Sequence, residues 1–99
     1  EKIKALARQN SNWQERIHPQ FPNILAEVVW ACDQEMALTV EDVLSRRIRL
    51  LILDPEAALA SAETVARTMA GVLHKEEDWI TAELTNFRKI AAKYLISKH

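Results

Sequence analysis

The chain has 99 residues, enough for one domain with a modest core, and a formal net charge of −1, which leaves no basic field to recruit nucleic acid. With 1 glycine and 3 prolines it lacks the turn residues of hairpin-rich folds, while Ala, Leu, Glu, Lys and Arg favour helix. The longest strongly apolar run, Leu50-Leu51-Ile52-Leu53, is far too short to span a membrane. No signal peptide is evident, and a start at Glu1 without methionine points to a cut or processed chain. The single cysteine, Cys32, excludes an internal disulfide and fits a reducing, cytoplasmic compartment.

In chain order, Ile3, Leu6 and Ala7 stand at helical spacing and predict a first helix over about 2–9. Trp13 and Ile17 follow in a loop and are expected to pin that helix to the body. Pro19 and Pro22 restrict His18 and Phe21 to extended backbone, so the next helix waits until about Asn23. Over 24–36, Leu25, Val28, Val29 and Cys32 form one apolar stripe. Thr39-Val40-Glu41-Asp42 reads as a helix start, with a hydroxyl to cap a free N–H and two acids at the positive end of the dipole. Val40, Val43, Leu44 and Arg47 share a face there, but Ile48 to Leu53 could equally be extended. Asp54-Pro55-Glu56 is a sharper start: an N-cap, proline in the first turn and an acid behind it. Ala58, Ala62, Val65 and Met69 form its buried stripe, and Gly71 is its expected terminator or small-residue kink. A last helix over about 75–96 carries Glu76, Glu77 and Asp78 at its start and Arg88, Lys89, Lys93 and Lys98 toward its end, matching the dipole. Its expected core face is Ile80, Leu84, Phe87, Ala91 and Tyr94. The prediction is one all-α domain over 1–99, a compact bundle of about five helices.

Catalytic templates find no place in this pattern. A phosphate or dinucleotide cradle needs several glycines, and Gly71 stands alone. His18, His74 and His99 are far apart and lack the paired spacing of a zinc site. Cys32 lies on an apolar stripe, the usual position of a small buried hydrophobe, and has no base beside it in sequence. No catalytic, cofactor-binding or metal-ligating residue is therefore expected in this chain.

Two features call for more than helix packing. The charges Glu27, Glu35, Asp42, Arg46, Arg47 and Arg49 place Asp42 one turn before Arg46, the favourable order for a helical ion pair. They read either as an ion-pair network clipping the second helix to the third, or as a docking face for a protein surface or an anion. Trp13, Trp30 and Trp79 are the second feature, suited to core packing or to an interface.

The stretch Ala26-Glu27-Val28-Val29-Trp30-Ala31, then Glu35-Met36-Ala37, then Thr39-Val40-Glu41-Asp42-Val43-Leu44-Ser45-Arg46-Arg47, closing on Arg49-Leu50 and Leu53-Asp54, resembles a known family. It is similar to the C-terminal domain of FAD-dependent (aerobic) glycerol-3-phosphate dehydrogenases and of the related α-glycerophosphate oxidases. His18-Pro19 with Pro22, and Ala57-Ala58 after the aspartate, agree with it, so the resemblance spans about residues 11–94. Arg46-Arg47 is its most specific part. Cys32-Asp33-Gln34 departs from it, since members often carry a basic residue there. The resemblance implies a parent enzyme that oxidises sn-glycerol 3-phosphate to dihydroxyacetone phosphate. FAD would pass the electrons to quinone at an inner membrane, where the parent would sit peripherally, or to oxygen. It also implies that the flavin and substrate residues lie upstream, that this upstream domain is the partner of the present chain, and that a homodimer is open. The rival reading is a free-standing helical interaction or regulatory module with 39–49 as its recognition helix. Lipid contact through Arg88, Lys89, Lys93 and Lys98 is a further expectation to be weighed.

Overall fold

The structure is a computed structural model describing residues 11–21 and 23–98, with all of their side chains except those of 11, 12, 46, 47, 52 and 96–98. The helix expected over 2–9 lies outside the described residues. Within them every regular element is helical, and the sole sheet-like feature is an isolated antiparallel bridge between Arg16 and Ile24. A 3₁₀ turn, Ser11–Gln14, enters a loop that folds back on itself. Ile17 N–H donates to the Asn23 carbonyl at 2.9 Å, and Leu25 N–H to that of Glu15 at 2.9 Å. Ile17 is buried in the core, while the helix that it is expected to pin lies outside the described residues.

Helix α1 is Leu25–Gln34. Ile24, at the N-cap, has no side-chain acceptor, so Glu27 supplies the cap from the third helical position. Its carboxylate accepts from the Ile24 N–H at 3.0 Å and from Asn23 Nδ2 at 3.2 Å. Leu25, Val28, Val29 and Cys32 are buried, as their spacing predicted.

The segment after α1 winds in an unforeseen way. Thr39 Oγ1 accepts the Asp42 N–H at 3.0 Å, while the Asp42 carboxylate accepts the N–H groups of Leu38 at 3.0 Å and Thr39 at 3.1 Å. That reciprocal box starts the predicted helix, but Asp42–Arg47 is wound as a π-helix, with Ile48 N–H reaching the Val43 carbonyl at 2.9 Å. Val40, Val43, Leu44 and Ile48 are all buried in this arrangement. Arg49 then takes a left-handed conformation, φ 66°, and breaks the helix. Helix α2, Leu50–Leu53, resumes and buries Leu50 and Leu51, which decides the stretch left open between helix and strand.

Asp54 and Pro55 start α3 (Pro55–Leu73) as predicted, with Asp54 Oδ1 accepting the Ala57 N–H at 3.1 Å. The helix is central. It packs on α4 (Glu77–Lys98) and on α1, which do not approach each other among the described residues. Its inward residues Ala57, Ala58, Ala62, Ala66 and Ala70 are small enough to let the neighbours come close. Ser61 is buried among them, its hydroxyl satisfied by the Ala57 carbonyl at 2.8 Å.

Gly71 corrects the sequence reading, since it does not stop α3. The helix runs on to Leu73 and ends at His74, whose φ of 58° closes a Schellman turn in which Lys75 N–H donates to the Ala70 carbonyl at 2.9 Å. Gly71 is exposed inside the helix, and a Cβ there would meet nothing within 4 Å. Gly71→Ala should therefore raise stability by about 1 kcal/mol, read as a higher midpoint in urea. An unchanged or lower midpoint would contradict this.

Helix α4 begins two residues later than expected because the Glu76 carbonyl accepts from Trp79 at 3.0 Å and Ile80 at 3.3 Å. Ile80, Leu84, Phe87 and Ala91 face inward, but Tyr94 is 36% exposed and leaves the expected core face. Leu95, one position on, is the half-buried residue instead. An exposed ion-pair bridge, Arg67 to Glu63 at 2.9 Å and to Glu77 at 2.7 Å, ties α3 to α4. Such solvated pairs contribute little.

Candidate functional site

The charged residues singled out in the sequence occupy α1, the π-helix and the joints beside them. Glu27 caps the start of α1, and Asp42 caps the π-helix through backbone N–H groups at 3.0 and 3.1 Å. Glu35 is the exposed C-cap of α1, its N–H bonded to the Ala31 carbonyl at 3.1 Å. Arg46 and Arg47 lie on the π-helix with side chains outside the described residues, and Arg49 is exposed at the left-handed joint before α2. Two of the acids thus hold local backbone, a role beyond the dipole match that the sequence suggested for Asp42.

Sequence reasoning missed Glu83. This α4 carboxylate accepts the Val40 N–H at 2.9 Å, across 43 positions of sequence, and so clamps the start of the π-helix to the last helix. No local pattern announces such a bond, because both partners read as ordinary helix residues. With it, four consecutive N–H groups are bonded: Ala37 to the Ala31 carbonyl at 3.0 Å, Leu38 and Thr39 to Asp42, and Val40 to Glu83. The loop so fixed presents Met36, 78% exposed and left-handed at φ 62°, and Leu38, 61% exposed.

The remaining candidates are quiet. Trp13, Trp30 and Trp79 are half-buried, and Trp79 packs on the core. His18 accepts the Gln20 N–H on Nδ1 at 3.1 Å and meets Phe21 edge-on at 5.6 Å; His74 is the exposed cap of α3. Cys32 is buried, and desolvation, then the neighbouring Asp33 charge, pushes its thiol from 9.0 up to about 11. A folded value above the unfolded one means that the neutral thiol stabilises the native state below pH about 9, an advantage lost as pH rises through about 11. At neutral pH, iodoacetamide should alkylate Cys32 at least ~10-fold more slowly than a free thiol, with full reactivity regained in urea. Equal rates in buffer and urea would refute this.

His18, Gln20, Asp54, Glu56 and Ala57 line a cleft of about 230 Å³ at the start of α3. Pockets for drug-sized ligands run to ~300–1,000 Å³, and a flavin dinucleotide is larger than most such ligands. The sole glycine lies near the C-terminal end of α3, whereas a dinucleotide cradle needs glycine in the loop leading into a helix N-terminus. Among the described residues no group of three or more His, Cys, Asp and Glu side chains is placed to hold a metal ion, and no helix is long and apolar enough to cross a membrane.

Comparison with known proteins gives this helical module a context. Residues 1–80 match the family described as the C-terminal domain of alpha-glycerophosphate oxidase, a span reaching from before α1 to the first turn of α4. A probable mitochondrial glycerol-3-phosphate dehydrogenase of Caenorhabditis elegans is 41% identical over 69 residues, covering 70% of this chain and 9% of that protein. A probable mitochondrial glycerol-3-phosphate dehydrogenase of Dictyostelium discoideum is 32% identical over 84 residues, 85% of this chain and 13% of that protein. The chain thus spans about a tenth of the length of these curated relatives. No solved structure matches it. The chain belongs to the family of the C-terminal domain of alpha-glycerophosphate oxidase.

Proposed function

We propose that this chain is the helical structural and docking domain of a longer FAD-dependent glycerol-3-phosphate dehydrogenase. The whole enzyme oxidises sn-glycerol 3-phosphate to dihydroxyacetone phosphate, and its electrons pass to quinone or oxygen. The observation that carries this reading is the family match over residues 1–80. The names of both relatives support the substrate. The single glycine, set against the several that a dinucleotide cradle uses, supports placing flavin and hydride transfer in the rest of the chain, with this domain bracing that body. Both relatives are named as mitochondrial, which supports a parent held peripherally at an inner membrane.

The test compares the 99-residue chain with the full-length protein. The short chain should be colourless and without turnover. The full-length protein should be yellow, and its flavin absorbance should bleach when sn-glycerol 3-phosphate is added without an electron acceptor. A full-length protein without flavin, or one whose flavin stays oxidised with this substrate, would overturn the proposal. So would a reading frame that contains this chain and no oxidoreductase.

Glu27, Glu35, Asp42, Arg46, Arg47 and Arg49 are assigned to an ion-pair network within the domain that clips α1 to the π-helix. The spacing of Asp42 and Arg46 supports it. Arg46→Ala or Arg47→Ala should lower the stability of the domain by about 1 kcal/mol in urea titration, near the upper end for pairs that water still reaches. If both variants unfold at the wild-type midpoint, the arginines serve an interface instead.

A further inference from the structure

We infer that the Met36–Leu38 loop is the anchor by which this domain docks onto the remainder of its own longer chain. The inference rests on the reading of the protein as one domain of a larger enzyme, and it names the surface that reading leaves open.

The loop combines a fixed backbone with exposed apolar side chains. Its backbone is tied down, with the N–H groups of Ala37, Leu38, Thr39 and Val40 all bonded, the last across the domain to Glu83. Yet it holds two large apolar side chains out to water, Met36 at 78% and Leu38 at 61% exposure, on either side of the buried Ala37. A mobile loop could fold such side chains inward; this one cannot, because Ala37 takes the inward position and the bonds fix the register. Met36 is also held left-handed at φ 62°, a conformation that costs a non-glycine residue free energy. Rigid, preorganised apolar side chains lose little entropy on burial, which is what an interface anchor requires.

Interface size and tethering select the occupant. Two side chains fall well short of the ~800 Å² per partner that a stable complex of separate molecules buries, so the loop is a poor basis for pairing two copies. A partner on the same polypeptide is different, because tethering supplies an effective concentration in the millimolar range and a small anchor then suffices. The matched relatives carry roughly ten times the length of this chain, so such a partner is at hand in the parent protein.

The experiment is methionine oxidation by dilute hydrogen peroxide in the full-length protein, read peptide by peptide by mass spectrometry. Met69, fully buried inside α3, is the internal control for a folded domain. In the wild-type protein Met36 should oxidise about as slowly as Met69. In full-length Leu38→Glu, which places a charge in the contact, Met36 should oxidise at least ~10-fold faster while Met69 stays slow. If Leu38→Glu exposes Met69 as well, Leu38→Ser, which removes apolar area without adding charge, decides instead. Fast oxidation of Met36 in the wild type, or slow oxidation in every variant with Met69 protected, overturns the inference. Protection that disappears on dilution points to a second copy as the occupant and overturns it too. None of these readouts depends on flavin content or turnover, so failure of the anchor and failure of the assigned reaction are separate results.

Discussion

Phe87→Ala is expected to destabilise the domain by about 3–5 kcal/mol, the usual loss when a buried phenylalanine leaves a cavity in a packed core. Phe87 is 1% exposed and heads the fully buried side chains in size. It sits midway along the inward stripe of α4, between Leu84 and Ala91. Side chains packed as closely as in a protein core relax only partly into such a space, so the cavity would persist. A domain of this size is stable by only about 5–15 kcal/mol, so the variant should melt at least ~12 °C lower. Phe87→Leu should recover most of the difference. A drop of only a few degrees for the alanine variant would mean that α4 is not seated as described.

The second large effect belongs to Glu83. The Val40 N–H lies in a residue that is 0% exposed and donates to the Glu83 carboxylate at 2.9 Å. Glu83→Ala leaves that donor buried without a partner, and such a group costs about 1–3 kcal/mol. Glu83→Gln keeps an acceptor oxygen and should lose less than half as much. Hydrogen exchange gives the local readout: the Val40 amide should exchange much faster in the alanine variant. A Glu83→Ala protein with wild-type stability and an equally protected Val40 amide would show that this bond does not hold the π-helix to α4. The same variant bears on the Met36–Leu38 loop, since its last fixed N–H is the one Glu83 accepts.

Much of the architecture was legible because it is written in local chemistry. Asp54-Pro55 starts α3 where an N-cap and a proline must, and Thr39 with Asp42 caps the next helix because hydroxyl and carboxylate lie three residues apart. The stripes of α1, α3 and α4 were visible as periodicity, up to Tyr94, where the half-buried position passes to Leu95. Gly71 misled because glycine is the usual αL cap, whereas among the described residues Met36, Arg49 and His74 occupy the left-handed positions. The π-helix was not legible, since one extra residue in a turn leaves the same apolar composition and only a changed bond, Ile48 to Val43, reveals it.

The sequence by itself therefore determined the class of the protein: an all-α domain, poor in glycine and proline, carrying the motif of its family. Caps, periodicity and composition act within a few residues of chain, and a reader of the chain can follow them. The tertiary structure alone decided which faces meet and which stay bare. It joined Glu83 to Val40, made α3 the helix between α1 and α4, and left Met36 and Leu38 in water on a fixed loop. Those outcomes depend on how apolar faces pack across long separations, where burial against a distant partner outweighs local preference.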